Sequence, residues 1–197
     1  MITIREVTYS VYGAWRLARL DRSGIQHFDI SLEGYWRSFF AAAIIAPAHV
    51  VLVLLESSPA TDDSDWLQFW LVKAIAYVIG WTVWPLVMFY AAKAIDREPA
   101  YLGYIVAYNW AQVIGTGLFL VVSIVAGTML PPGALNPAFA LTIMALLAYQ
   151  WFIARTVLDI GGGLAAGLVV LDLVVSMMIG NVALGLSGAV AGSAGAG

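Results

Sequence analysis

Residues 101–130 read YLGYIVAYNWAQVIGTGLFLVVSIVAGTML and contain no charged side chain. A helix of about 20 residues crosses the ~30 Å hydrocarbon core of a bilayer, so this stretch is long enough to span a membrane with some tilt. Pro131 and Pro132 follow it, and two prolines cannot continue a helix. The sequence therefore predicts a transmembrane helix that ends before these prolines.

The same pattern recurs on both sides of this stretch. Apolar runs bounded by charged residues or glycines occupy residues 38–55, 66–92, 138–154 and 164–186. With residues 101–130 they predict an all-α fold, a polytopic membrane helix bundle of five transmembrane helices. We expect residues 1–37 to form a cytoplasmic amphipathic N-terminal segment, residues 38–186 to form the transmembrane domain, and residues 187–197 to form a flexible Gly/Ala/Ser tail.

The composition supports a membrane location and excludes several functions. Of the 197 residues, 62% are hydrophobic and 11% are charged, against ~45–50% and ~25% in soluble domains. A net charge of −3 provides no basic surface for a nucleic-acid backbone, so we expect no nucleic-acid partner. The absence of cysteine excludes disulfides and thiolate ligands, and His27 and His49 are the only histidines. We therefore expect no metal site and no cofactor.

The N-terminal segment has the pattern of an amphipathic helix. Apolar residues recur at intervals of three and four, with arginines displaced to one side, which predicts a helix in the inner head-group layer. The stripe consists of Ile4, Val7, Val11, Ala14 and Ala18. We expect a break at Ser23 and Gly24, after which Ser31 and Glu33 cap the helix that leads into the first span. The arginines either set orientation or bind anionic lipid, and the sequence does not separate these roles.

Positive charges predict the orientation, because cytoplasmic loops retain Lys and Arg. Residues 1–37 carry five arginines, residues 93–97 carry Lys93 and Arg97, and Arg155 follows the fourth span. The loops at the other end carry neither residue type. The chain is thus predicted to lie in a bacterial inner membrane with its N-terminus inside and its C-terminus outside. Aromatic residues at the span ends, Tyr101 and Tyr104 among them, are predicted to be interface anchors.

Polar side chains from three spans are predicted to share a level near the membrane midplane. A rise of 1.5 Å per residue places Asp172 ~12 Å from the inner end of its span, His49 ~17 Å, and Asn109 and Gln112 ~12–17 Å. Ser176 lies one turn from Asp172. A lone carboxylate in hydrocarbon costs ~2.5–3.5 kcal/mol, so Asp172 is predicted to face the bundle, with His49 as its partner.

This polar layer has two interpretations. Ionisable residues inside membranes mark proton relays and substrate or ion sites. Alternatively, amide, hydroxyl and imidazole groups hold helices in register, at ~0.6 kcal/mol for each interhelical hydrogen bond. For Asp172 the two are equally supported, whereas for His49, Asn109 and Gln112 we favour the structural role. Lys73, near the outer end of its span, is predicted to extend its ammonium group toward the outer surface.

The order of a cytoplasmic segment, five closely spaced helices and an outward C-terminus resembles the Yip family of five-span membrane proteins and its bacterial relatives. The resemblance covers residues 34–186, with GYWRSF at residues 34–39 and the pair GY at residues 103–104 as its most suggestive strings. It implies the five-span fold and carries over no functional residue.

Two functions are therefore expected. The sequence contains no hydrolase, metalloprotease or phosphate-loop motif, so we predict that the protein is not an enzyme. The leading hypothesis is a scaffold or accessory factor for membrane partners or lipids. The alternative is a small proton-coupled transporter that uses Asp172 and His49. Expected partners are the lipid bilayer and a membrane protein or a second copy of the chain.

Overall fold

A computed structural model describes residues 2–56 and 66–194, and this part of the chain contains helices and no strand. Short 3-10 helices occupy Arg22–His27 and Glu98–Ala100. The α-helices in chain order are α1 (Ile4–Ala18), α2 (Leu32–Ser38), α3 (Phe40–Glu56), α4 (Trp66–Ala94), α5 (Tyr101–Met129), α6 (Pro132–Val157) and α7 (Gly162–Ala194). Within the described residues, α2 with α3 and each of α4 to α7 give five segments long and apolar enough to span a membrane. The predicted all-α five-helix bundle is confirmed.

The helix boundaries differ from the predicted spans in ways that local chemistry explains. The first span begins in α2, where the Ser31 hydroxyl caps the helix by accepting from the Gly34 amide at 3.0 Å, as predicted. Helix α6 begins already at Pro132 because proline is tolerated in the first turn, where its missing N–H needs no partner. Helix α7 continues past residue 186 to Ala194, so most of the predicted flexible tail is helical. Residues 195–197 lie outside the described residues.

Helix α5 is the centre of the bundle. Residues 104–111 are all buried, because α1, α2, α3 and α6 pack around this half of α5. The other half of α5 exposes Leu118, Val121 and Ile124. We call the tightly packed end the α1 end and the opposite end the far end. The bundle is thus closed around α5 at the α1 end and more open toward the far end.

Helix α1 docks onto the bundle through a face that differs in part from the predicted stripe. Leu17, which lies off that stripe, is fully buried, whereas Ile4 is 87% exposed. The hydroxyl of Tyr149 on α6 donates to the Ala14 carbonyl oxygen at 2.7 Å. Hydrophobic spacing alone does not distinguish a face that meets protein from one that meets lipid. The helix also ends before the predicted break, at Ala18, and Leu20 takes a left-handed conformation (φ 61°).

Arg37 joins the N-terminal segment to the first span. Its guanidinium pairs with Glu6 of α1 (2.7 Å), with Glu33 one turn earlier (3.3 Å) and with Asp29 in the connection before α2. Only 24% of the Arg37 side chain is exposed. The acidic residues of three consecutive segments therefore converge on one cation and hold α1 against the base of the bundle.

Candidate functional site

A cavity of about 610 Å³ lies between α3, α4, α5 and α7. It extends from Lys73 near the far end to Pro85, twelve residues further along α4, or about 18 Å of helix. Its polar side chains come from all four helices: His49, Lys73, Tyr77, Tyr108, Asn109, Gln112, Thr116 and Ser176. Four of the five predicted site residues therefore line one cavity, and the fifth, Asp172, contacts it through Tyr108.

The floor of the cavity is a hydrogen-bonded pair, Tyr108 and Asp172. The Tyr108 hydroxyl donates toward both carboxylate oxygens of Asp172, at 3.1 and 3.0 Å. Trp84 and Tyr104 pack on the Tyr108 ring with centroids 5.7 and 6.0 Å away, which fixes its orientation. Only 8% of Tyr108 is exposed. A rigid phenol therefore separates the carboxylate from the cavity.

His49 is not the partner that the structure gives Asp172. Its imidazole lies against the Tyr77 ring at 4.7 Å, and the Tyr77 hydroxyl donates to the Ala42 carbonyl oxygen at 2.6 Å. Helix α3 packs mainly against α5, whereas α7 packs against α4 and α6, so the two residues lie on helices that do not pack closely on each other. Residue spacing gives the depth of a side chain in its span but not the direction in which the helix turns it.

Asn109 joins the central helix α5 to the end of α2 through a buried hydrogen bond. Its side-chain amide donates to the Ser38 hydroxyl oxygen at 2.9 Å, and both residues are almost completely buried. The Ser38 hydroxyl in turn donates to the Tyr35 carbonyl oxygen at 2.7 Å. Ser38 ends α2, so this pair fastens the break between α2 and α3 to the central helix α5.

Gln112 lies between the main cavity and a second, smaller cavity. Its side chain lies one helical turn beyond Tyr108 on the same face of α5 and lines the main cavity. Together with His49 and Thr116 it also lines a second cavity of about 230 Å³ between α3, α5 and α6. In that cavity the buried Oε1 atom of Gln150 has no hydrogen-bond partner within the described part of the chain. Polar groups thus continue from one cavity into the next.

Lys73 lines the main cavity, although the sequence analysis predicted only an outward-pointing amine. Its ammonium nitrogen lies 5.5 Å from the centre of the Phe69 ring, a cation–π distance. The loop before α4, which contains Asp62, Asp63 and Asp65, falls on residues 57–65, outside the described residues. Of the described residues that line this cavity, Lys73 is the one with a formal charge.

Tyr108 is the site residue that the sequence analysis missed. Tyr104, Tyr108 and Gln112 are spaced four apart, so they share one helical face, and Tyr108 lies too deep for an interface anchor. That spacing was the available signal. The prediction of Tyr104 as an interface anchor was wrong, since it is 2% exposed and buried in the core. A tyrosine in a membrane belt and one in a protein core look alike in sequence.

The arrangement can bind a polar molecule and exchange a proton with it. The wall provides neutral hydrogen-bonding groups and one ammonium, and the floor provides a carboxylate behind a hydroxyl that can move between donor and acceptor roles. The described residues contain no group of three His, Cys, Asp or Glu placed to hold a metal ion.

Comparisons with known proteins add no relative. No protein-family model matches the chain, and searches of curated proteins and of solved structures give no significant match. The resemblance to the Yip family stays a prediction.

Proposed function

We propose that this chain is a small membrane transporter that accepts its solute in the cavity between α3, α4, α5 and α7 and exchanges protons at the Tyr108–Asp172 pair. The observation that carries the proposal is the cavity, because it brings polar side chains of four spanning helices to one space inside a hydrophobic bundle. Polar residues are expensive in a bilayer, and they occur there where they serve a pathway or a partner.

The two halves of the bundle support a gated path. Around residues 104–111 of α5 the packing is complete, and Ala107 and Ile105 are 0% exposed. The cavity overlaps this plug at Tyr108 and Asn109 and extends along α4 as far as Lys73. Such a form is expected of a state that is closed at the α1 end and accessible from the far end, and transport then needs a second state with the opposite access.

The charge distribution supports an orientation. All Lys and Arg residues except Lys73 lie at the α1 end, on α1 and its connections or at the adjoining ends of the spanning helices. Under the positive-inside rule the α1 end is cytoplasmic, so we infer a bacterial inner membrane and a cavity accessible from outside. A C-terminal reporter fusion that is active only in the cytoplasm would contradict this orientation.

Single-cysteine labelling tests the proposal directly, because the chain contains no cysteine that would need removal. In proteoliposomes, Ser176→Cys is expected to react with a membrane-impermeant maleimide from the far side. Val170→Cys, on the same helix but 58% exposed on the surface of the bundle, is the control and is expected to stay unreactive. Lack of reaction at residue 176 would show that the cavity is closed to water and would end the transporter proposal.

The carboxylate provides the second test. Asp172→Asn keeps the side-chain shape but removes the charge and the titrating proton, so we expect the pH dependence of Ser176→Cys labelling to fall to that of the thiol alone, whose thiolate form reacts. Asp96→Asn is the matched control, since Asp96 lies in the connection after α4 with φ 56°, a left-handed conformation that asparagine also adopts. It is expected to leave the pH dependence unchanged.

One observation supports the alternative hypothesis that the protein is an accessory factor. On the side of α1 turned away from the bundle, Tyr9, Tyr12 and Trp15 are each about half exposed. Aromatic residues of this kind suit a head-group layer or a protein partner. The accessory role predicts that a membrane protein copurifies with the wild type and with Asp172→Asn but not with a Tyr9→Ser/Tyr12→Ser variant. This result, together with an unreactive cysteine at residue 176, would favour the accessory role over the transporter.

A further inference from the structure

The main cavity borders an apolar groove between α4 and α7. The groove has a volume of about 270 Å³ and is lined entirely by aliphatic and methionine side chains. Ala76, Ile179 and Ala183 line both the groove and the cavity, so they form a shared wall. The remaining groove residues include Ile75 and Met178, which are 57% and 63% exposed on the surface of the bundle. The groove is therefore open to the surface of the bundle, on the opposite side of this shared wall from the cavity.

The cation of the cavity lies near this opening. Lys73 is seven residues from the start of α4 at Trp66, which places it about 10 Å below the far end of the helix. It follows Val72, one of the groove residues. An anionic group that enters between α4 and α7 from the outer head-group region therefore meets Lys73 within one helical turn of the groove.

The cavity and the groove together have the shape and chemistry of an amphiphile. The ammonium of Lys73 attracts an anion, and Gln112, Thr116 and Ser176 offer neutral hydrogen bonds to oxygen atoms of a head group. The aliphatic groove suits an acyl chain, which stays continuous with the bilayer through the exposed edges of α4 and α7. A fully water-soluble solute would have no use for this second compartment.

We propose that the substrate of this site is a membrane lipid with an anionic phosphate head group, which enters sideways between α4 and α7, places its head at Lys73 and leaves an acyl chain in the groove. The inference rests on the proposed function, because it names the substrate class of the same cavity. A lipid substrate also explains how a chain with one formal charge on its cavity wall can bind an anion, since the bilayer itself delivers the apolar part of the ligand.

The test is binding of dioleoyl phosphatidylglycerol to the purified full chain in a neutral detergent, measured by native mass spectrometry. Dioleoyl phosphatidylcholine, which has the same chains but no net charge, and glycerol phosphate, which has the anion but no chains, are the comparison probes. We expect phosphatidylglycerol to bind best. Lys73→Gln is expected to weaken it at least tenfold, since a charged hydrogen bond contributes ~1.5–3 kcal/mol and 1.4 kcal/mol is a factor of ten.

Two variants separate the parts of the proposal. Lys93→Gln makes the same change on the same helix, but at an exposed position near the α1 end, and is expected to leave binding unchanged. Ala183→Phe fills the shared wall and is expected to weaken phosphatidylglycerol while leaving glycerol phosphate unaffected. Thermal unfolding of each variant establishes that it is folded before binding is compared.

Each outcome decides between the proposals. Equal phosphatidylglycerol binding in wild type and Lys73→Gln overturns the lipid site. Glycerol phosphate that binds as tightly as the lipid, with no effect of Ala183→Phe, shows a soluble anion as the ligand and also overturns it. Because Ser176→Cys labelling is measured separately, a reactive cavity without lipid binding refutes this inference alone. Lipid binding with an unreactive residue 176 refutes the transporter alone.

Discussion

The Tyr108–Asp172 pair gives the sharpest quantitative prediction. Tyr108→Phe keeps the ring that packs on Trp84 and Tyr104 but removes the hydroxyl that lies 3.0 and 3.1 Å from the carboxylate oxygens. Hydrogen bonds to charged groups contribute about 1.5–3 kcal/mol, while interhelical hydrogen bonds in membrane bundles average ~0.6 kcal/mol. The carboxylate lies on an apolar helix, where few other donors are near. We therefore expect Tyr108→Phe to lower the free energy of unfolding by about 1–2 kcal/mol, which lies between these two magnitudes.

A double-mutant cycle isolates this term from other effects of the substitution. In an Asp172→Leu background the acceptor is gone. Tyr108→Phe is then expected to leave the free energy of unfolding unchanged, or to raise it because the substitution removes an unsatisfied hydroxyl. The coupling energy is then about 1–2 kcal/mol. The assay is equilibrium unfolding in mixed micelles by titration with SDS, followed by tryptophan fluorescence.

The matched control is Tyr104→Phe, one turn earlier on the same face and equally buried. Tyr104→Phe is expected to change the free energy of unfolding by the same amount in the wild type and in the Asp172→Leu variant, because the Asp172 carboxylate accepts its hydrogen bonds from Tyr108. If the coupling of Tyr108 to Asp172 were no larger than that of Tyr104, the hydroxyl would not serve the carboxylate. The account of the cavity floor would then be incorrect.

Four further predictions concern the packing of the N-terminal segment and, for Gly117, that of helix α5. Tyr149→Phe removes the hydroxyl that holds α1 to α6 and is expected to cost about 1 kcal/mol, visible as faster amide hydrogen exchange in α1 alone. Gly24→Ala would place a methyl group 2.5 Å from the Gly13 carbonyl oxygen and is expected to lower stability by about 1–3 kcal/mol in thermal unfolding. Gly117→Ala, with nothing within 4 Å of its added methyl, is expected to stabilise the helix by about 0.5–1 kcal/mol instead. Hydrogen bonds from the Ser23 side chain and backbone and from Arg16 lower the pKa of Asp21 to about 2. Because this pKa lies below its unfolded value, the stabilisation is complete above about pH 4 and is lost as the pH falls toward 2, which a carboxyl NMR titration of wild type against Asp21→Asn measures.

Small residues recur at intervals of four in α5 and α7, a spacing that permits another helix to approach closely. Ala107, Ala111 and Gly115 are buried against neighbouring helices, and the side chain of Leu146 on α6 lies 3.4 Å from a methyl group built on Gly115. Gly163 and Gly167 have the same spacing, yet nothing lies within 4 Å of a methyl group built on either glycine. The pattern permits close approach, but only the arrangement of the helices decides whether a neighbour is present. The homodimer stays a prediction.

The five helices that are long and apolar enough to span a membrane could be predicted from the sequence because hydrocarbon imposes a strong local rule. Every backbone polar group must be satisfied inside its own segment, so an uninterrupted apolar run such as residues 101–130 has essentially one stable structure. The depth of Asn109 and Gln112 followed from the constant rise of a helix. These properties depend on position along one segment, which the sequence records directly.

The identity of the partners depended on the tertiary structure. Whether Asp172 meets His49 or Tyr108, which face of α1 docks, and which side chains line a common cavity all depend on the rotation of each helix about its axis. In a bilayer the apolar faces that meet lipid and those that meet protein have the same composition, so no periodicity in the sequence encodes that rotation. It is decided only when the helices pack together in the bundle that has α5 at its centre.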